Sequence, residues 1–290
     1  MKKIITLVLS LILLCACSSK GAYSQVSDGD EVLYSGPNNI VFTKSDLYSK
    51  MKNSSVETLS AMVLKSIATH YDTIDFAELE KQAQEDIEFY QSIGYESYII
   101  QSYGTLEAYK DLYVSSMIVF ELTKVYVEEN FDTMVSENKP VKMQLASFTS
   151  EEDARNCIED FNNGSTFDMA AVNNNSANAP QSTVYLDSDL SLDYEVKEYL
   201  NDTDSTGIST IIPHSTSSTD EEGNPTEIMT YYVLNIESRN AEEFHDEFVE
   251  TMAYSLDSDT VIEHFFRKHE IKFFDQDLYK LLSDEYEVLK

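Results

Sequence analysis

The sequence predicts an α+β protein, helical toward both ends with an α/β segment between them. Two patterns carry this. Apolar residues recur every three or four positions from Val56 to Phe131 and again from Phe244 to Phe266, the mark of helices with one covered face. Between these stretches Met143 and Leu145 alternate with Lys142 and Gln144, the period of a strand covered on one side. With 290 residues and 42% hydrophobic content, the chain is long and apolar enough to bury a substantial core.

The first stretch is a leader. Met1-Lys2-Lys3 is basic, and Ile4 to Leu14 is an apolar run too short to span a bilayer comfortably. Leu14-Cys15-Ala16-Cys17-Ser18-Ser19 resembles a bacterial lipobox, which makes Cys17 the expected site of lipid attachment. The other reading is an ordinary secretory signal with an incidental cysteine. Acyl chains contribute about 0.8 kcal/mol per buried methylene, so a multiply acylated Cys17 would hold the chain on a membrane. The polar residues after it read as a tether.

Val32-Leu33-Tyr34 and Ile40-Val41-Phe42 flank a Gly-Pro-Asn-Asn turn and read as a small hairpin. Thr43 to Asp46 is a capping-box start for a helix through Leu47, Tyr48 and Met51. Val56, Leu59, Val63 and Ile67 mark a second helix, and Phe76 to Tyr90 a third, ended near Gly94. After Gly104, Thr105 caps a long helix carrying Tyr109, Tyr113, Met117, Val127 and Phe131 on one face. A tyrosine-rich stripe is ordinary core with hydroxyls reaching water, or it lines a groove for apolar segments of other chains.

In the middle, Thr149 or Ser150 caps a helix whose first turn is acidic. Ala154, Cys157, Ile158 and Phe161 form its covered side, and Asn163-Gly164 ends it. Phe167, Met169 and Ala170 begin another buried turn. Val184 to Leu186, a helix from Tyr194 to Leu200, Ile208 to Ile212 and Tyr231 to Ile236 complete the α/β pattern, with His214 to Thr226 as a polar loop. Near the end, Asn240 and Glu243 pair at a helix start, Asp257 or Ser258 starts another, and Ile271 to Asp275 follows as a short strand.

The words Glu151-Glu152-Asp153-Ala154 and Asn163-Gly164 through Phe167 to Ala171, with Gly207-Ile208-Ser209 and Tyr231 to Ile236, resemble a parvulin-type prolyl isomerase domain. Set between helical arms behind a lipobox, with Thr43-Lys44, Asp46-Leu47-Tyr48 near the start, the chain resembles PrsA-type foldase lipoproteins of Gram-positive envelopes and their SurA-like chaperone relatives. The likeness of layout spans most of the chain. It implies a helical chaperone domain built from both ends, with the parvulin-like domain inserted and the aromatics Phe265, Phe266, Phe273 and Phe274 buried by the closure. The expected division is 1–16 signal, 17–31 tether, 32–138 N-terminal arm, 139–238 parvulin-like domain and 239–290 returning segment.

In that family catalysis is attributed to two histidines with an acidic or cysteine partner. Here the first histidine slot falls on Leu145, or on Gln144 with a one-residue slip, and the last falls on Tyr232. Isomerase activity is therefore expected to be weak or lost, although Tyr232 still offers a hydroxyl that, with neighbouring polar groups, could substitute. The resemblance implies binding of unfolded exported proteins, with Met143, Leu145, Phe167, Tyr232, Tyr109, Tyr113 and Met117 as candidate contacts. An active prolyl isomerase and a solute-binding envelope lipoprotein are the competing readings. The expected location is the outer face of the cell membrane, and a homodimer is among the arrangements left open.

Other classes find little support. With 52 acidic and 20 basic residues the net charge is −32, which disfavours nucleic acid because nothing would replace the phosphate counterions. Such a surface keeps the chain soluble, or steers basic partners or cations toward it. Only Cys157 lies outside the leader, so no internal disulfide framework forms, and its apolar helix face makes it a core residue. His264 and His269 lack the spacing of a zinc helix and read as surface partners of acids. Asp187-Ser188-Asp189 and Asp202-Thr203-Asp204 lack the glycine and distal glutamate of a calcium loop. No cofactor or metal is expected.

Overall fold

The computed structural model describes residues 27–35, 41–52, 56–219 and 225–287. Cys17, the expected leader, the expected turn of the first hairpin and Gly223-Asn224 lie outside these ranges. The chain runs β1 (Val32–Ser35), β2 (Val41–Thr43), α1 (Lys44–Lys52), α2 (Val56–Ala68), α3 (Phe76–Ser92), α4 (Glu96–Tyr103), α5 (Leu106–Glu129) and α6 (Phe131–Asn138). It continues through β3 (Val141–Phe148), α7 (Glu151–Asn162), α8 (Phe167–Asn173), β4 (Thr183–Tyr185), α9 (Tyr194–Asp202), β5 (Gly207–Ile208), β6 (Ile212–Thr219) and β7 (Pro225–Ser238). After a 3₁₀ turn at Ala241–Phe244 come α10 (His245–Ser255), α11 (Ser258–Lys268) and α12 (Gln276–Glu285). The class is α+β, as the sequence predicts. Residues Met1–Thr123 and Leu256–Lys290 make one compact unit, and Lys124–Ser255 the other.

The first unit is helical and joins both ends of the chain. Thr43 and Asp46 cap α1 reciprocally: the Thr43 backbone N–H donates to the Asp46 carboxylate at 2.8 Å, and the Asp46 N–H donates to the Thr43 hydroxyl at 3.2 Å. From the far end, α12 packs on α2. The Tyr48 hydroxyl donates to Asp275 at 3.2 Å, and the Tyr71 hydroxyl meets His269 Nε2 at 3.2 Å. Phe265 and Phe266 are fully buried, with Tyr71 edge-on to Phe265 at 5.6 Å.

Several expectations need correcting in this unit. Phe274 is 65% exposed, so the closure does not bury all four aromatics. Ile271 to Phe274 joins no sheet; the segment ends instead at Asp275, whose carboxylate caps α12 through the N–H groups of Asp277 and Leu278. His269 contacts Tyr71, and its ring lies 5.4 Å from that of His70. Phe131 opens α6, because the long helix breaks at Asn130. The helix α4 has no counterpart in the periodicity.

The second unit is an antiparallel sheet of order β4–β3–β7–β5, with β6 pairing the first half of β7. Leu145 sits opposite Leu234, and Ser147 opposite Tyr232. One face packs Ala146, Phe148 and Val233 against Ala154 and Cys157 of α7 and Phe167, Ala170 and Ala171 of α8. The other packs Val141, Met143, Ile212, Leu234 and Ile236 against Leu192 and Val196, with Leu145 and Tyr232 at its margin. The described parts of the segment from His214 to Thr226 are strand, not loop: β6 extends to Thr219 and β7 begins at Pro225, forming a two-stranded ribbon beyond the sheet.

Local rules set the helix ends here. The Ser150 hydroxyl accepts from the Asp153 N–H at 3.4 Å to start α7. Gly164, at φ 104°, closes it: its N–H donates to the Phe161 carbonyl and the Ser165 N–H to that of Asp160. At the 3₁₀ turn the Asn240 side chain caps no backbone N–H but its amide donates to Glu243 at 3.4 Å, and Glu243 also accepts from the Ser238 hydroxyl at 2.6 Å.

Candidate functional site

Leu145 and Tyr232 lie on one face of the sheet, both half-buried beside the α9 core. Met143, on the same face, is fully enclosed, and so acts as core, not as a contact surface. Phe167 is 2% exposed and packs beneath the opposite face, so it shares no surface with Tyr232.

What stands beside Tyr232 is a polar cluster that the sequence does not announce. Its hydroxyl donates to Asp193, the residue preceding α9, at 2.5 Å. His214 on β6 places Nδ1 2.7 Å from Glu195 and Nε2 3.6 Å from Asp193. The His214 and Tyr232 rings are 6.2 Å apart. Because Ile212 is opposite Tyr232, the strand register carries His214 to this corner. Burial, then the bond to Asp193, pushes the Tyr232 phenol far above its ordinary range, so it keeps its proton. The His214 hydrogen bond holds the Glu195 carboxyl below its usual value. The cluster offers one imidazole, one phenol and two carboxylates, whose mutual hydrogen bonds pin the start of α9 to the sheet.

The first unit carries a different surface. Phe89 and Tyr90 at the end of α3, Tyr95 in the turn, Tyr98 and Tyr103 on α4, and Tyr109 and Tyr113 on α5 form a chain of ring contacts. Centroids lie 5.8 Å apart for Phe89–Tyr90, 6.2 Å for Tyr90–Tyr109, 5.0 Å for Tyr103–Tyr109 and 6.1 Å for the stacked Tyr109–Tyr113 pair. Tyr95 and Tyr98 extend it, 6.1 Å apart and 54% and 64% exposed. Gly104, at φ 81°, ends α4 in a conformation that a side chain would resist, turning the chain back into α5. A hydrogen bond to Asp86, then burial, pushes the Tyr113 phenol up to about 12. Tyr109 is raised by burial and by Tyr90. Met117 is half-buried one turn further along α5.

The sequence singles out Tyr109, Tyr113 and Met117 but misses Tyr95, Tyr98 and Tyr103. The spacing of aromatics between two glycines was the available signal. From Glu85 to Tyr113 the acids are Glu85, Asp86, Glu88, Glu96, Glu107 and Asp111, against Lys110 alone. No group of three or more His, Cys, Asp or Glu suited to a metal occurs among the described residues.

No family model matches the sequence, and no curated protein matches it. Solved structures similar to it are PrsA foldases, and the likeness covers most of the chain at low identity. The foldase PrsA of Streptococcus pneumoniae is 19% identical, with 87% of this chain and 98% of that one covered and a TM-score of 0.45. A Bacillus cereus PrsA, described as a peptidylprolyl isomerase, is 17% identical over 87% and 96%, with a TM-score of 0.42. The foldase PrsA of Lactococcus lactis is 14% identical over 90% and 99%, with a TM-score of 0.43.

Proposed function

We propose that this chain is a lipid-anchored extracytoplasmic chaperone that holds exported polypeptides while they fold, with prolyl isomerase activity weak or lost. The observation that carries the reading is the exposed tyrosine surface of α3, α4 and α5. Contiguous exposed aromatics are uncommon on a soluble chain without a binding role. Tyrosine offers apolar area together with a hydroxyl, and so accepts varied segments without strict sequence demands. Burying one such ring is worth about 1.5–3 kcal/mol, enough for several rings to hold a segment reversibly. The acids around these rings favour clients with basic residues next to apolar ones, through charge and cation–π attraction.

Anchoring rests on the lipobox resemblance at Cys17. The loss of isomerase activity rests on Leu145 and Tyr232 at the two histidine slots, with the Tyr232 proton already committed to Asp193. His214 beside Tyr232 favours the working isomerase as a second reading, since an imidazole has returned to that corner from another strand.

The test is suppression of aggregation of a reduced, unfolded protein by the full chain. Replacing Tyr95, Tyr98 and Tyr103 together by Ser is expected to abolish suppression while leaving the thermal midpoint nearly unchanged. Equal suppression by this variant would overturn the reading. A peptide assay of cis-to-trans relaxation decides between the two forms: saturable acceleration that His214→Ala or Tyr232→Phe removes would establish the isomerase.

A further inference from the structure

The second unit contains a cavity of about 330 Å³ away from the Tyr232 corner, where α6, the loop after β4, α9 and the end of β7 meet. Part of its wall is apolar, with Pro140, Val141 and Leu192 buried. Three cations line it, Lys139, Lys197 and Arg239, alongside the polar residues Tyr185, Asp187, Asn201 and Asp204. In a chain with 52 acids and 20 bases, three cations converging on one cavity run against the composition.

None of the three forms an ion pair among the described residues. Arg239 Nη2 donates to the Leu200 carbonyl at 3.1 Å, and its Nε is buried with no acceptor. A guanidinium taken partly out of water without a matching anion is unfavourable, and burial lowers its proton affinity below the ordinary range. Asp204 and Asp187 also line the cavity, but both are exposed. Asp204 acts on Arg239 only at a distance, and Asp187 accepts from the Asn201 amide at 3.3 Å. The frame is fixed from several sides, since the Asp187 N–H donates to the Asn138 carbonyl at 2.9 Å.

Lys139 adds an independent observation. It ends α6 in the left-handed conformation, φ 42° and ψ 58°, where glycine or asparagine is the ordinary occupant. A residue with a long cationic stem sits there instead, at the cavity's rim.

We propose that this cavity binds a carboxylate carried on a small apolar body, either a free acid or the C-terminal residue of a polypeptide. The Arg239 guanidinium supplies charge for the carboxylate together with Lys139 and Lys197, and the buried aliphatic wall takes the apolar part. The site is separate from the tyrosine surface and does not depend on the chaperone reading.

Calorimetric titration of the full chain tests this with four probes: N-acetyl-leucine, N-acetyl-leucinamide, a pentapeptide ending in a free leucine carboxylate, and inorganic phosphate. At least one of the two acids should bind, while the amide should not. Binding by the peptide but not by the small acid identifies a chain end as the source, and binding by both identifies the carboxylate with its apolar group as sufficient. Arg239→Gln should weaken binding by about tenfold or more, the usual scale for a charge-assisted hydrogen bond. Lys139→Gly suits the left-handed position better, so it should weaken binding several-fold without lowering the melting temperature; it decides the matter if Arg239→Gln fails to fold. Equal binding of acid and amide, tighter binding of phosphate, no binding of either acid at millimolar concentration, or acid binding unchanged in Lys139→Gly would each overturn the proposal.

Discussion

The Tyr232 hydroxyl and the Asp193 carboxylate lie 2.5 Å apart, tying the centre of β7 to the residue that precedes α9. Asp193 stands where a helix-capping side chain is expected, yet it caps no backbone N–H. Its carboxylate faces the sheet instead, with His214 Nε2 as a second neighbour at 3.6 Å. The start of α9 is therefore fixed by tertiary contacts. Tyr232→Phe keeps the ring and removes the donor, and should lower stability by about 1–2 kcal/mol in urea denaturation, the range for a hydrogen bond to a charged, partly exposed group. An unchanged midpoint would show that the bond contributes nothing.

Ser209 should be the more sensitive position. Its hydroxyl accepts from the Leu234 backbone N–H at 2.8 Å, in the interior of the sheet, and donates to the Thr210 carbonyl. Ser209→Ala leaves the Leu234 N–H buried without a partner, at a cost of about 1–3 kcal/mol. Ser209→Thr retains the hydroxyl and should recover part of the loss. Equal midpoints for wild type and Ser209→Ala would contradict this account of the Gly207-Ile208-Ser209 word.

Much of this sheet was legible in the chain because local and tertiary demands agree there. The alternation at Met143 and Leu145, the Ser150 cap and the Asn163-Gly164 stop each follow from period or capping chemistry, and each recurs in the fold. His214 was illegible for a physical reason. From His214 to Thr219 the β6–β7 ribbon projects past the sheet with little to bury, so the strand shows no apolar alternation. Its extended form comes from pairing with β7, a long-range cause that no local window contains. The helix α4 was hidden differently: the eight residues between its flanking turns bury only Ile99, too little to declare a period.

Cys157 is fully buried on the apolar side of α7, and burial pushes its thiol up to about 11. Cys157 should not react with a disulfide reagent at pH 8 in the native protein, and its thiol should become available only on unfolding. Rapid labelling without denaturant would show that α7 opens locally.

His245 gives the stability a pH dependence of definite sign. Its Nδ1 is 3.1 Å from Asp246 and its Nε2 3.1 Å from Glu128, and the ring stacks on Phe131 at 4.7 Å. The bond to Asp246, and the nearby charges of Glu128 and Glu242, raise its proton affinity above the ordinary value despite burial. The charged form is thus favoured by folding. Its contribution is complete below about pH 6.5 and is lost as pH rises through the elevated folded value. Melting temperatures measured upward from that pH should fall, and His245→Gln should flatten the decline. Identical slopes in the two proteins would contradict the assignment.

The helical unit is sewn shut by residues from the very end of the chain, through Tyr48 with Asp275 and Tyr71 with His269. The sheet unit, by contrast, is one uninterrupted stretch. A polypeptide threaded out amino end first therefore finishes its second module before its first. Until residues 256–290 emerge, the leading helices wait without the stitches that complete them, and removing that segment should loosen the beginning of the protein.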